Sequence, residues 1–470
     1  MRIVILGRGI SGLAAGHFLA RAGHEVISID PGEQPGGLVR SERIEGFLCE
    51  TGPQALLNGP ADTRALISGA GLDGRVIAAL PTARRRFIHA RGRLHALPTN
   101  PIALARSGLL GWRGKLRLLR EPFLRGAAPA ADGEDESVLA FGARRFGPEA
   151  ARALLAPAVI GIYAGDAARL SARSAFPRLT ALERTHGSIV RGALAQRRAG
   201  GGSGRPISFP EGLQELARAL ADALGPRRLV ASAQRIQRTR DGWRIDLAGG
   251  GAPVDAQAVV IATSAGPAAA LLEPIAPAAA AALRSVRLAP AVVACLAFRA
   301  GGAPLGMDLN GYGFLVARDG QDPDAHRADR HASGGAAAGP STAAPARILG
   351  CQYESSIFAG RAPAGAVLLR TILGGTFDPG VVDESDDVIA KHATDDLRRL
   401  AGLRREPDFV RVWRHPRGIP QYELGHAARV SAADQDLARH PGLFLIGHTL
   451  RGVGLNDCIA TGSALVSQMA

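Results

Sequence analysis

The first thirty residues constrain this chain most. Arg2-Ile-Val-Ile-Leu6 is a short apolar run of the kind buried on both faces of a parallel sheet. Gly7-Arg8-Gly9-Ile10-Ser11-Gly12 follows, then Leu13 to Arg21 with helical spacing, a turn at Ala22-Gly23-His24, and a second run from Glu25 to Ile29 that ends at Asp30-Pro31. A lone G-x-G-x-x-G is weak. Placed between strand and helix, with a carboxylate 18 residues beyond Gly12, it is what a dinucleotide-binding βαβ unit requires. Gly7 makes the tight turn, Gly9 lets backbone approach a pyrophosphate, and Gly12 lets helix and strand touch. The helix N-terminus offers N–H groups to phosphates, and Asp30 can accept from a ribose diol. The plain alternative is a glycine-rich turn that binds nothing.

A chain of 470 residues exceeds what one core usually serves, so two or three domains are expected. Net charge is +14, carried almost wholly by arginine, since Lys115 and Lys391 are the only lysines. That balance implies an anionic partner: nucleic acid, a lipid surface or an acidic small molecule. No recognition motif accompanies the charge, so nucleic acid is not expected. Four cysteines without a C-x-x-C argue against a disulfide scaffold or a metal site and fit a reducing compartment. With a strand starting at Arg2, no signal or transit peptide is expected. The longest uncharged apolar stretch, 256–272, is broken by Thr263-Ser264-Ala265-Gly266-Pro267. A spanning helix needs about 20 apolar residues, so none is expected.

Two further motifs resemble the flavin amine-oxidase superfamily. Pro35-Gly36-Gly37-Leu38-Val39-Arg40-Ser41 with Glu50-Thr51-Gly52-Pro53 matches its second fingerprint. Gly442-Leu-Phe-Leu-Ile-Gly447 reads as a strand leading to His448-Thr-Leu-Arg-Gly452-Val453-Gly454-Leu-Asn-Asp457, then a helix from Cys458 to Met469 with Asn456 or Asp457 as N-cap. The resemblance implies non-covalent FAD, held by Gly7, Arg8, Gly9, Ile10, Ser11, Gly12, Asp30, Pro31, Gly36, Gly37, Leu38, Arg40, Gly52, Pro53, Gln54, Ala55, Ala233, Gly447, Gly452, Val453 and Gly454. The last helix would aim its start at the flavin pyrimidine ring. No second G-x-G-x-x-G follows a strand, so a separate nicotinamide site is not expected.

The interior narrows the family. Phe146-Gly-Pro-Glu-Ala150, Val159-Ile-Gly161-Ile-Tyr-Ala-Gly165-Asp-Ala-Ala-Arg-Leu-Ser171, Ala175-Phe-Pro-Arg-Leu179, Ile419-Pro-Gln-Tyr-Glu-Leu-Gly-His426 and Arg451 to Cys458 closely resemble protoporphyrinogen oxidases, and Phe209-Pro-Glu-Gly-Leu213 matches a segment shared by these and their relatives, in consistent order along the whole chain. That resemblance implies six-electron oxidation of protoporphyrinogen IX to protoporphyrin IX, with molecular oxygen as acceptor, hydrogen peroxide as product and no obligatory side-chain base. Gly161 would act through its backbone carbonyl, orienting the macrocycle pyrroles. His95, Arg106, Phe314 and Phe358 are the expected substrate contacts. Some relatives carry an arginine where His95 stands, and either Trp413 or His415 would face the ring.

The implied fold is α/β: a discontinuous Rossmann-like FAD-binding domain (1–82, 205–287 and 408–470), a mixed-sheet substrate domain (83–100 and 288–407), and a helical, membrane-associated domain (101–204). The architecture is that of amine oxidase and p-hydroxybenzoate hydroxylase. The tract 320–345 reads as a mobile insertion, and 126–136 and 199–204 as loops. Between Ala83 and Arg125, ten arginines and Lys115 face one carboxylate, Glu121. Ile102, Leu104, Leu109, Leu110, Trp112, Leu116, Leu118 and Leu119 interleave with them, as in an amphipathic segment at an anionic bilayer. The expected location is therefore cytoplasmic, peripheral on the inner face of the cell membrane; a core-facing helix with a solvated side is the alternative. A homodimer is the oligomer the resemblance allows. Rival functions are coproporphyrinogen III oxidation to coproporphyrin III, a flavin amine oxidase, and a flavin-free binding protein that keeps the fold and would purify colourless.

Overall fold

The computed structural model describes residues 1–124, 135–198, 204–225, 227–301, 305–318 and 345–469. Nearly all of the tract 320–345 and most of 126–136 and 199–204 lie outside the described residues. The chain divides into two compact units, one from segments 1–79, 202–287 and 425–470, the other from 80–201 and 288–424.

In the first unit a five-stranded parallel sheet runs Arg228–Val230, Glu25–Asp30, Arg2–Leu6, Ala258–Ile261, Leu443–Leu445. Ile3, Val4 and Ile5 at its centre are fully buried, as an uninterrupted apolar run requires. The helix Ile10–Arg21 connects the first two strands, and the last helix, Leu455–Met469, crosses it closely enough that a Cβ on Gly462 would lie 2.7 Å from the Ala15 amide nitrogen. A second apolar cluster joins Leu66, Phe209, Leu216, Leu220 and Ile459. A three-stranded antiparallel ribbon, Ala233–Arg238, Trp243–Leu247 and Val254–Ala256, completes the middle segment.

The second unit is built on a seven-stranded mixed sheet, in the order Phe409–Pro420, Leu288–Phe298, Val367–Gly374, Ile348–Gln352, Gly313–Val316, Phe87–Ala90, Arg93–Ala96. One face packs on the helix Asp386–Ala401 through Leu296, Leu369, Ile389, Ala393 and Leu397. The other meets the helix Ala156–Tyr163, where Ile160 joins Leu349, Ile372 and Ile419. Two expected boundaries move. Phe409–Pro420, grouped by sequence with the FAD segments, is an edge strand here because it pairs along most of its length with Leu288–Phe298. The helices between 101 and 198 belong to the same compact unit as this sheet rather than to a third one. Among the described residues no helix is long and apolar enough to cross a membrane.

Candidate functional site

In the first unit the two amino-terminal fingerprints meet. The Gly36 amide donates to the Arg8 carbonyl at 2.8 Å, and a Cβ on Gly37 would stand 3.2 Å from the Gly9 Cα. Gly7 has φ +107°, and a Cβ on Gly12 would fall 2.0 Å from the Gly7 carbonyl oxygen, so neither position admits a side chain. Gly9 has open space where its Cβ would be, and the helix that begins at Ile10 has no side-chain cap. Its first-turn N–H groups are therefore offered to an outside acceptor. Asp30 accepts from the Arg8 and Gly32 amides, each at 2.7 Å. An ionised carboxylate has about four acceptor sites, which leaves room for a ribose diol.

Arg8 is 2% exposed and donates to the Gly32 carbonyl, yet its Nε and Nη1 have no partner among the described residues. Arg40 holds the Gly-Gly loop, through Gln34 Oε1 at 2.8 Å and the Gly37 carbonyl at 3.2 Å. Gly52 lies against Leu38, whose carbonyl oxygen would be 2.0 Å from an added Cβ; Pro53, Gln54 and Ala55 continue from there. The Ala231 amide donates to the Asp30 carbonyl at 3.2 Å, which carries the chain past the end of the second strand to Ala233.

At the carboxy-terminal end Gly447 (φ +117°) again has open space at its Cβ position. The loop Gly452-Val453-Gly454 folds back on the start of the last helix, and a Cβ on Gly452 would fall 2.1 Å from that of Asp457. His426 is structural: its Nε2–H donates to the Leu450 carbonyl at 2.9 Å. A cavity of about 680 Å³ follows the free edge of Leu443–Leu445 and reaches the expected cofactor set at Gly447 alone. Asn456 is not an N-cap, because the helix starts one residue before it. Its side chain instead accepts from the Leu57 amide (2.9 Å) and donates to the Leu57 carbonyl (2.8 Å) and Thr63 Oγ1 (2.6 Å). Sequence reasoning missed this clasp, since nothing local to Asn456 points to Leu57. The uncapped helix, the orphaned Arg8 nitrogens and the open glycines fit a dinucleotide.

In the second unit Gly161 is exposed on its helix, with its Cβ position 2.9 Å from Leu315 Cδ1. Register places Leu315 in one cross-strand row with Ile88 and His95 on one side and with Gly350, Ile372, Val293 and Trp413 on the other. Trp413 and His415 share that face. Phe314 does not, which corrects one expected contact: neighbouring residues of a strand point to opposite faces, and its ring sits in the core with Tyr353, centroids 6.4 Å apart. Phe358 is fully buried beside the Arg361 guanidinium.

His95 and Arg106 do come together, with Arg93, Ser107 and Gly108, around a recess of about 400 Å³ beside the outermost strand, Arg93–Ala96. Between this recess and Leu315 stands Ile88, 4% exposed and clustered with Leu104, Leu109 and Leu110. Burial lowers the His95 pKa below the ordinary imidazole value; its bond to the Ala90 carbonyl opposes this, and Arg93 and Arg91 lower it further. The ring is therefore neutral near pH 7. The basic segment splits. Leu104, Leu109 and Leu110 are core, whereas Ile102, Trp112, Leu116, Leu119 and Phe123 are exposed. Neither lysine lies on the sheet: Lys391 pairs with Asp395 on the exposed side of the helix Asp386–Ala401, and Lys115 donates to the Ala105 carbonyl.

A model of flavin-containing amine oxidoreductases matches residues 10–469. The chain belongs to that family. It is 31% identical to protoporphyrinogen oxidase of Homo sapiens, over 98% of this chain and 96% of that one. It is 26% identical to coproporphyrinogen III oxidase of Bacillus subtilis, over 99% and 97%. Among solved structures, an Exiguobacterium protein assigned as a protoporphyrinogen oxidase matches with a TM-score of 0.79 at 25% identity, over 100% of this chain and 98% of that one. Putrescine oxidase with bound putrescine matches at 0.67 and 14%, over 100% and 99%, a likeness of fold alone. As a member of the family the chain is an FAD-dependent oxidoreductase.

Proposed function

We propose that this chain oxidises protoporphyrinogen IX to protoporphyrin IX, six electrons leaving in three two-electron steps, with three molecules of oxygen reduced to hydrogen peroxide. The observation that carries this is the near full-length likeness to protoporphyrinogen oxidases at 31% identity. Bound FAD supplies the hydride acceptor. The chain's own residues supply binding and orientation. The fingerprint glycines and the first-turn amides hold the pyrophosphate, Arg8 and Arg40 brace its loops, and Asp30 takes the ribose. The Gly161 carbonyl orients the pyrrole N–H groups, from a residue that is exposed on its helix.

Coproporphyrinogen III is the second reading, favoured by the Bacillus subtilis relative. An amine oxidase is disfavoured by the positions of Lys115 and Lys391. The exposed apolar residues Ile102, Trp112, Leu116, Leu119 and Phe123, set among arginines, support peripheral contact with an anionic lipid surface, the inner face of the cell membrane. Porphyrin fluorescence tests the activity: enzyme mixed with either porphyrinogen, in air and then without oxygen in the presence of a quinone, should produce porphyrin faster than the enzyme-free control. Equal rates for both substrates and their controls would end the proposal.

A further inference from the structure

The recess beside Arg93–Ala96 has the chemistry of an oxyanion site. Arg93 and Arg106 line it, and neither guanidinium has a hydrogen bond or ion pair among the described residues. The neighbouring cations are engaged: Arg91 pairs with Glu149 at 3.0 Å and reaches the Gly108 carbonyl, and Lys115 Nζ donates to the Ala105 carbonyl at 2.7 Å. His95 forms a wall, 7% exposed, its Nε2–H fixed on the Ala90 carbonyl at 3.1 Å. Gly108 closes the other side so tightly that its Cβ would stand 2.6 Å from Arg93 Nη2 and 3.3 Å from His95 Nδ1.

What surrounds the recess indicates the rest of the ligand. Ala103 and Arg106, on the helix Pro101–Arg106, line it. The same helix carries Ile102, 68% exposed, and is tied through the Lys115–Ala105 bond to the helix Trp112–Leu119, where Trp112 is 70% exposed. Phe123, just beyond, is 86% exposed. Two unpaired guanidiniums beside exposed aliphatic and aromatic side chains match a molecule with an anionic head and hydrocarbon tails. Two carboxylates of the surrounding helices add no negative field: Glu121 is buried against Arg145, and Glu149 is paired with Arg91. A substrate carboxylate is the weaker match, because the buried cluster of Ile88, Leu104, Leu109 and Leu110 stands between the recess and Leu315, the contact of Gly161.

We propose that this recess receives the phosphate of an anionic glycerophospholipid, with Arg93 and Arg106 as its charge partners and Ile102 and Trp112 lying among the acyl chains. This rests on the lipid contact proposed above and turns it from a diffuse attraction into a site with a stereochemical requirement. Each arginine removed should weaken binding to an anionic surface roughly fivefold.

The test uses the FAD-loaded protein and vesicles of phosphatidylcholine, alone or doped with phosphatidylglycerol. Wild type should sediment with the doped vesicles only. R93Q/R106Q should lose roughly 25-fold in partitioning, and Gly108→Leu, which changes no charge but fills the recess, should lose a similar amount. R113Q/R120Q, which removes two exposed charges from the neighbouring helix, should lose less. Flavin absorbance and melting temperature should stay at wild-type values in the recess variants, which separates lost binding from misfolding. Equal losses for the two double variants, or a Gly108→Leu protein that sediments like wild type, would overturn the site while leaving lipid contact standing. Displacement from the vesicles by millimolar inorganic phosphate would assign the recess to free phosphate and overturn the lipid headgroup. A raised KM for the free-acid porphyrinogen but not for its dimethyl ester would assign the recess to substrate and overturn the proposal. A wild type that ignores every vesicle would refute the lipid contact itself.

Discussion

Asn456→Ala should loosen the first unit far more than a part-buried amide usually does. The strand Leu56–Leu57 pairs with Pro206–Ser208, and in this register the Leu57 N–H and C=O point away from the partner strand. Asn456 supplies both complements, acting as a one-residue strand, and adds a bond to Thr63. Alanine removes three hydrogen bonds and leaves two backbone groups to find water. At about 1 kcal/mol net per bond, discounted because the groups are only part-buried, the loss is about 2–3 kcal/mol. For a body of this size each kcal/mol moves the melting point by about 2–4 °C, so flavin release followed by fluorescence on heating should shift down by roughly 5–10 °C. Asn456→Asp separates the contributions. It keeps the acceptor for the Leu57 N–H but sets a carboxylate oxygen against the Leu57 carbonyl, so it should melt no higher than the alanine variant. An alanine variant within a degree of wild type, or an aspartate variant that matches wild type, would refute the clasp.

Gly12→Ala puts a Cβ 2.0 Å from the Gly7 carbonyl oxygen, which is backbone and has nowhere to go; the purified protein should lack the flavin absorbance band. Gly161→Val should cut porphyrin formation at least tenfold while the flavin stays bound, since its Cβ meets Leu315 and its methyls close the helix face; wild-type rates would remove Gly161 from the site. Glu121→Gln should cost about 3 kcal/mol in chemical unfolding, because it leaves the buried Arg145 with only the longer contact to Glu183 at 3.4 Å. Burial pushes the Glu121 pKa up, but bonds from Ser188, Arg145, Ile189 and Val190 outweigh that and hold it below its ordinary 4.5. Its contribution is therefore present above about pH 4.5 and lost as pH falls through the lowered value, so the wild-type advantage over the glutamine variant should shrink in acid.

Local chemistry made the nucleotide-binding half legible. Strand, glycine run, helix and Asp30 lie within thirty residues, and the steric demands on Gly7 and Gly12 are written in their identity. Long-range choices were not legible. Asn456 reads as a helix cap because residues near it allow one, and its true partner is 399 positions away. Phe409–Pro420 joins the second unit because Leu288–Phe298 offers a matching edge, a fact no window around residue 409 contains. Phe314 reads as a pocket aromatic, but strand alternation turns it to the core while Leu315 takes the other face. In the basic segment, periodicity identified the apolar set but not the split between Leu104, which meets Ile88, and Ile102, which meets solvent.

The close crossing of Gly462 over Ala15 has a consequence for biosynthesis. The ribosome delivers the glycine run and its helix first, but the surface they must rest on arrives more than four hundred residues later. Until then Ala14 and Ala15, both fully buried in the finished molecule, lack the helix that packs over their backbone. Flavin loading is thus expected to follow synthesis of the last helix, and a stop codon before that helix should yield a colourless polypeptide rather than a weakened enzyme.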